Sequence, residues 1–107
     1  MNESIYINFI DTTSFCCVGT IKSINLGDGK LKIEILTKST LHDDVHEAQD
    51  IILYVDKDKL KTLKEYIETS KGSKDKYNFF GSIAVDTYRH VLFYCTHILE
   101  YDGKEVI

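Results

Sequence analysis

Apolar and polar side chains alternate along most of this 107-residue chain, and this pattern limits the folds open to it more than any other feature. The clearest case is the segment 30–38, in which Leu31, Ile33 and Ile35 alternate with lysine and glutamate. An alternation with a period of two residues places apolar side chains on one face of a β-strand and polar ones on the other. The chain is therefore expected to consist mainly of half-buried β-strands.

Turn signals divide the alternating pattern into separate strands. The tripeptide Gly27-Asp28-Gly29 predicts a hairpin turn, because glycine readily adopts the positive φ angles that a tight reversal requires. Gly19, inside the preceding segment, predicts a bulge or a sharp bend in a curved sheet. The polar and acidic stretch 39–49 predicts a long loop. We predict strands at about 4–10, 15–26, 30–38, 50–55, 77–86 and 91–99.

One segment has the spacing of a helix instead. Leu60, Leu63 and Ile67 recur every three or four residues, which places them on one face of an α-helix. Asp56 precedes them and is a residue type that caps helix N-termini. The sequence therefore predicts one amphipathic helix over about 57–70.

The predicted order is strand, bent strand, strand, long loop, strand, helix, strand, strand, which is typical of an OB-fold barrel. In this arrangement the chain resembles bacterial single-stranded-DNA-binding proteins over about residues 15–99. The segments that carry the resemblance are Val18–Ile24, Lys30–Leu36, Asp50–Val55, Leu60–Ile67, Lys71-Gly72 and Tyr77–Ile83. The length of 107 residues predicts a single domain over 1–107. The order of elements predicts a fold that is mainly β with one helix: an OB-fold-like five-stranded Greek-key barrel plus a short extra N-terminal strand.

The resemblance also implies a surface for single-stranded nucleic acid. Barrels of this kind combine cationic side chains along a groove with aromatic rings on which bases stack. Alternation places Tyr54, Phe80 and Tyr94 opposite the apolar side chains expected in the core. An alternative stays open, in which the lysines are ordinary solvated strand residues and the aromatic rings are covered by the helix or by another subunit. The candidate nucleic-acid-binding residues are Lys22, Lys30, Lys32, Tyr54, Phe80, Tyr88 and Arg89.

The overall charge limits what such a surface can be. Thirteen basic against 17 acidic side chains leave a net charge of −4 and a pI near 5.5, whereas general polyanion binders are usually basic. The lysines are unevenly distributed: residues 1–50 contain 4 lysines and 8 acidic residues, but residues 57–76 contain 7 lysines and 4 acidic residues. Any anion-binding surface is therefore expected to be local.

Catalytic, metal and cofactor motifs are not evident in the sequence. His42 and His46 are four residues apart beside acidic residues, but no third ligand accompanies them, so we expect no metal site. Cys95 and His97 are two residues apart and would share one face of a strand. We interpret them as a buried thiol beside a histidine rather than as a catalytic dyad. No phosphate-binding glycine loop is present. We expect a protein that is not an enzyme and that uses no cofactor.

Three cysteines and the hydropathy of the chain indicate the compartment. Cys16, Cys17 and Cys95 are an odd number without a C-x-x-C spacing, so we expect reduced thiols. No apolar stretch approaches the roughly 20 residues of a membrane helix, and the N-terminus lacks a basic and apolar signal. The sequence therefore predicts a soluble, cytoplasmic protein without a membrane partner.

Two functional hypotheses follow. The first is a small non-enzymatic module that binds single-stranded nucleic acid with little sequence preference. The second is a protein-interaction module, such as a small phage or mobile-element protein that binds or inhibits a host factor, which the net acidic charge and the acidic stretch favour. The segment Ile5–Ile10 is apolar on both faces, so an exposed strand of this kind needs a pairing partner. It can fold back on its own barrel or pair with a second copy, and we predict the second arrangement, a two-fold homodimer.

Overall fold

The structure is a computed structural model that describes residues 7–9, 13–38, 46–69 and 76–107. It is mainly β with one helix. The elements are β1 (Ile7–Phe9), β2 (Ser14–Asn25), β3 (Lys30–Lys38), β4 (His46–Val55), α1 (Lys57–Thr69), β5 (Tyr77–Val85) and β6 (Val91–Glu100). No helix in these ranges is long and apolar enough to cross a membrane.

Five of the strands form a closed barrel. β2, β3 and β4 pair antiparallel in succession, β4 pairs parallel with β6, and β6 pairs antiparallel with β5. β5 pairs in turn with β2, which closes the barrel. α1 connects β4 to β5. The predicted fold class is confirmed in its main claim, a five-stranded barrel with one helix, and the architecture is compatible with an OB-like fold.

A bend in β2 makes closure possible. The first half of the strand, Ser14–Gly19, pairs with β5, and the second half, Thr20–Asn25, pairs with β3. Gly19 lies where the partner changes, and a β-carbon there would stand 2.6 Å from the main-chain oxygen of Glu34. A glycine is therefore required by the close approach of two backbones, at the position where the sequence predicts a bend.

The barrel interior and the inner face of α1 form one apolar core. The inward residues of β3, which are Leu31, Ile33 and Ile35, are buried as the alternation predicts, and Leu60 and Leu63 of α1 are fully buried. Burying an aliphatic side chain of this size contributes about 1.5–3 kcal/mol. The fully buried large side chains are Phe15, Leu31, Ile33, Ile35, Leu53, Leu60, Leu63, Phe79 and Ile98.

The start of β4 differs from the prediction. The loop expected over 39–49 ends earlier, because β4 begins at His46 and residues 46–49 pair with residues 35–38 of β3. Hydrogen bonds to a neighbouring strand order polar residues whose composition alone is typical of a loop. Residues 39–45 of the expected loop lie outside the described residues.

The N-terminal strand is described only at Ile7–Phe9. These residues pair antiparallel with β2, with Ile7 opposite Cys17 and Phe9 opposite Phe15. The rest of the strand expected over 4–10 lies outside the described residues. The homodimer hypothesis, which depends on that strand, stays a prediction.

Candidate nucleic-acid interface

The outer surface of β3, β4 and β6 brings cationic and aromatic side chains into one row. The strand registers place Lys30 opposite Tyr54, and Tyr54 opposite Tyr94. Their chain neighbours Leu31, Leu53 and Cys95 are buried in the barrel. Successive residues of a strand face opposite sides, so the three side chains of the row lie on the outside. We call Lys30, Tyr54 and Tyr94 the tyrosine row.

The members of the tyrosine row contact one another. The ring centroids of Tyr54 and Tyr94 are 5.5 Å apart at an interplanar angle of 37°. Lys30 Nζ lies 5.7 Å from the centroid of the Tyr54 ring, within the range of a cation–π interaction. Tyr94 remains 41% exposed. The row therefore presents an open aromatic surface with a cation beside it.

A second row extends this surface along the same strands. Lys32 lies opposite Ile52, which is 37% exposed, and two residues further along β3 Glu34 lies opposite Asp50. Lys22 Nζ forms an ion pair with Glu34 Oε2 at 3.5 Å. The positive end of the surface is thus at Lys30 and Lys32. We call Lys30, Lys32, Ile52, Tyr54 and Tyr94 the outer face.

A depression of about 470 Å³ borders the outer face at the tyrosine row. Its walls are the turn at Asp28, the first residues of α1, and β6 from Tyr94 to Thr96. Lys59 of α1 also lines the depression, and its Nζ donates a hydrogen bond of 3.0 Å to the main-chain oxygen of Thr96. This bond joins the start of α1 to β6, two residues beyond Tyr94.

The turn between β5 and β6 carries Tyr88 and Arg89. The Asp86 carboxylate accepts hydrogen bonds from the main-chain N–H groups of Tyr88 (2.8 Å) and His90 (2.9 Å). Arg89 has a φ of 65° and Tyr88 is 80% exposed. β6 runs parallel to β4, with Phe93 opposite Leu53, and the turn comes just before β6 begins. The turn therefore lies at the end of the outer face that carries Ile52.

The seven residues singled out from the sequence are thus not all together. Lys30, Lys32 and Tyr54 converge on the outer face, and Lys22 lies at its border in the ion pair with Glu34. Tyr88 and Arg89 lie in the turn at the Ile52 side. Phe80 lies on β5 between Cys16 of β2 and His97 of β6, on another part of the barrel wall.

Sequence reasoning left two residues of this region out of the candidate set. Strand alternation indicates that Tyr94 faces outward, and this signal could have added it. Lys59 has no such signal, because the lysines of α1 are typical of a solvated helix face. Its place beside Thr96 depends on how the helix packs against β6.

A second surface feature lies where β2 and β3 separate. After the pair Thr20–Glu34 the two strands are no longer paired, and a cleft of about 440 Å³ opens between them. Val18, Leu36 and Tyr101 line it and are all exposed, Tyr101 to 63%. The lining of this cleft is mostly apolar, with Glu34 and Lys76 as its charged members, and it shares no residue with the outer face.

Two of the three cysteines are buried thiols, Cys17 and Cys95. Burial raises the pKa of the Cys17 and Cys95 thiols to about 12, so both stay protonated near neutral pH. The expectation that Cys95 and His97 share a face is wrong, because the register shifts between Phe80 and Gly81 and leaves Thr96 as an extra residue in β6. Cys95 is therefore buried and His97 exposed. No group of three potential metal ligands occurs within the described ranges.

Comparisons of the chain with known protein families, curated proteins and solved structures find no match. They do not support the resemblance to bacterial single-stranded-DNA-binding proteins, and the structure shows a closed five-stranded barrel compatible with an OB-like fold. What the protein binds is inferred below from its own surface.

Proposed function

We propose that this protein binds single-stranded nucleic acid, with little sequence preference, on the outer face. The observation that carries the proposal is the pair of Tyr54 and Tyr94 rings on an open sheet surface, with Lys30 Nζ 5.7 Å from the Tyr54 ring. Every base has a π-face, so stacking on such rings tolerates any sequence and contributes about 1–3 kcal/mol per base. Lysines beside the rings attract the phosphate backbone.

The distribution of charge predicts weak and salt-sensitive binding. With a net charge of −4, the chain as a whole repels a polyanion, and the attraction on the outer face comes from Lys30 and Lys32. Each phosphate contact on a single strand contributes about −0.7 to the slope of log K against log salt. The two lysines of the outer face together should contribute about −1.4 to this slope.

The proposed role is binding without catalysis, in a reducing compartment such as the cytoplasm. Three free cysteines accord with that compartment. The protonated state of the two buried thiols accords with a structural role for them.

Titration of a labelled oligonucleotide of about 16 nucleotides, the upper end of the site size of one OB fold, tests the proposal. We expect binding at about 50 mM salt that weakens at about 200 mM. Tyr94→Ala should lower the affinity at least about fivefold, as the loss of one stacked base requires. Tyr101→Ala, which removes an exposed tyrosine from the separate cleft, should leave it unchanged. Absence of binding by the wild type at low salt would contradict the proposal.

A second candidate is a protein-interaction module, such as a phage or mobile-element protein that acts on a host factor. The observation that favours it is the apolar cleft lined by Val18, Leu36 and Tyr101, since exposed apolar patches mark protein contacts. Affinity capture from a lysate with and without nuclease separates the candidates. A partner that survives nuclease and is lost with Leu36→Asp supports the second, whereas loss of all partners on nuclease treatment supports the first.

A further inference from the structure

The depression beside the tyrosine row offers a place for part of the ligand beyond the outer face. We propose that it holds one backbone phosphate of the bound single strand at Lys59, so that the strand leaves the outer face over the start of α1. This inference rests on the proposed function and specifies the path of the strand.

Lys59 is held at the depression before any ligand arrives. Its Nζ donates to the Thr96 main-chain oxygen at 3.0 Å, across 37 residues of sequence. One of the three ammonium donors is used in this way, and the other two remain for an anion. A lysine that is already oriented loses less rotamer freedom on binding than a fully mobile one.

The bulge in β6 explains why the Thr96 carbonyl is available. His97 pairs with Phe80 and Cys95 pairs with Gly81, so Thr96 has no partner in the β5 ladder. Its main-chain oxygen accepts from Lys59, and its Oγ1 donates to the Phe80 oxygen at 3.4 Å. The bulge in β6 therefore leaves the Thr96 oxygen free of the β5 ladder, and this oxygen positions the Lys59 ammonium group.

Tyr94 and Thr96 lie close together on β6. Both line the depression and both are exposed, on either side of the buried Cys95. The main-chain oxygen of Thr96 accepts the hydrogen bond from Lys59 Nζ. A base stacked on Tyr94 would bring its neighbouring phosphate to the Lys59 side of the depression.

Two carboxylates at the depression limit where an anion can lie. Asp56 Oδ1 accepts the main-chain N–H of Asp58 at 2.9 Å, and Asp28 Oδ2 accepts from Asn25 Nδ2 at 3.0 Å. Each is thus held in its own turn, and Asp28 lies in the wall across from β6. Repulsion from Asp28 and Asp56 favours a phosphate position on the β6 side of the depression, where Lys59 Nζ lies against Thr96. Removal of the Asp28 charge should strengthen binding.

Oligonucleotide titrations at about 50 mM and about 200 mM salt, with variants of α1, test the inference. Lys59→Gln should weaken binding about threefold or more at the lower salt and reduce the magnitude of the salt slope by about 0.7, the contribution of one phosphate. Lys61→Gln removes the same charge from an exposed position of the same helix and should keep the wild-type slope. Lys59→Arg should also keep it, and Asp28→Asn should tighten binding.

The outcomes separate this inference from the proposed function. Equal salt slopes for Lys59→Gln and Lys61→Gln, in a protein whose binding still depends on Tyr94, would overturn the path over α1 and leave the outer face as the site. No binding by the wild type would overturn both. Thermal unfolding of each variant shows whether an altered affinity reflects an altered fold.

Discussion

The backbone of Gly81 in β5 touches the main-chain carbonyl of Tyr94 in β6, so closely that a β-carbon at position 81 would overlap that carbonyl group. The contact lies at the register shift between Phe80 and Gly81, where β6 contains its extra residue. It determines how near the two strands come at this point. The position of Tyr94 on the outer face therefore depends on the absence of a side chain at position 81, in β5, which lies on the other side of β6 from Tyr54.

Replacement of this glycine should be severe. Gly81→Ala forces β5 and β6 apart, and we expect a loss of about 3 kcal/mol or more in the free energy of unfolding, at the upper end of overpacking effects. Gly27→Ala is the matched control, because the nearest atom to a β-carbon there is Asn25 Oδ1 at an ordinary 3.5 Å. Urea unfolding of both variants measures the difference. Similar stabilities for the two would contradict the close contact.

Removal of a buried side chain of α1 should loosen the helix from the barrel. Leu63 is fully buried, so Leu63→Ala should lower the free energy of unfolding by about 2–5 kcal/mol. Lys64→Ala, one residue along, removes only the exposed ion pair with Glu68, in which Lys64 Nζ lies 3.8 Å from Glu68 Oε2, and should cost about 0.5 kcal/mol or less. Circular dichroism during denaturant titration compares them. Equal effects would show that α1 is not packed on the core.

Alkaline pH should destabilise the fold through the buried thiols. Burial raises the pKa of Cys17 and of Cys95 from 9.0 to about 12, so above pH 9 the unfolded chain loses protons that the folded chain keeps. The stabilising contribution is therefore present in full below pH 9.0 and is lost as pH rises toward about 12. Each thiol should lower the free energy of unfolding by about 1.4 kcal/mol per pH unit in that window.

Comparison of the wild type with Cys95→Ala isolates this effect from other groups that titrate at high pH. The variant is expected to have a shallower decline of unfolding free energy above pH 9.0, and a parallel dependence below it. Urea titrations at a series of pH values provide the measurement. If the two proteins declined with the same slope above pH 9.0, burial of this thiol would not control its ionisation.

The turn that carries Tyr88 and Arg89 should depend on Asp86. Asp86→Ala removes the acceptor of two main-chain N–H groups, those of Tyr88 (2.8 Å) and His90 (2.9 Å), and should cost about 1–3 kcal/mol. Asp102→Ala is the control, since Asp102 accepts one such bond, from Lys104 at 3.0 Å, and should cost less. Thermal unfolding ranks the variants, and hydrogen exchange locates the change. A control that was equally destabilised would contradict this role of Asp86.

Much of the secondary structure could be predicted because its signals are local. The alternation of Leu31, Ile33 and Ile35 predicts β3 with its observed bounds, Lys30–Lys38, and the helical spacing of Leu60 and Leu63 predicts α1 within one residue at its C-terminus. Each pattern reports which side chains face the core, and a period of two or 3.6 residues identifies the element. The same alternation also predicts that Tyr54 and the lysines of β3 face outward.

The remaining features depend on contacts between segments far apart in the chain. His46–Gln49 form a strand because β3 pairs with them, and Lys59 meets Thr96 because a register shift in β6 leaves that carbonyl outside the ladder. The sequence by itself determined the elements and their inward faces, since these follow from the spacing of apolar residues along the chain. Only the tertiary structure decided barrel closure, the β4 boundary and the composition of the outer face. These features depend on backbone pairing and close contacts between residues far apart in the chain, and the local sequence around one such residue does not indicate which distant residue it will meet.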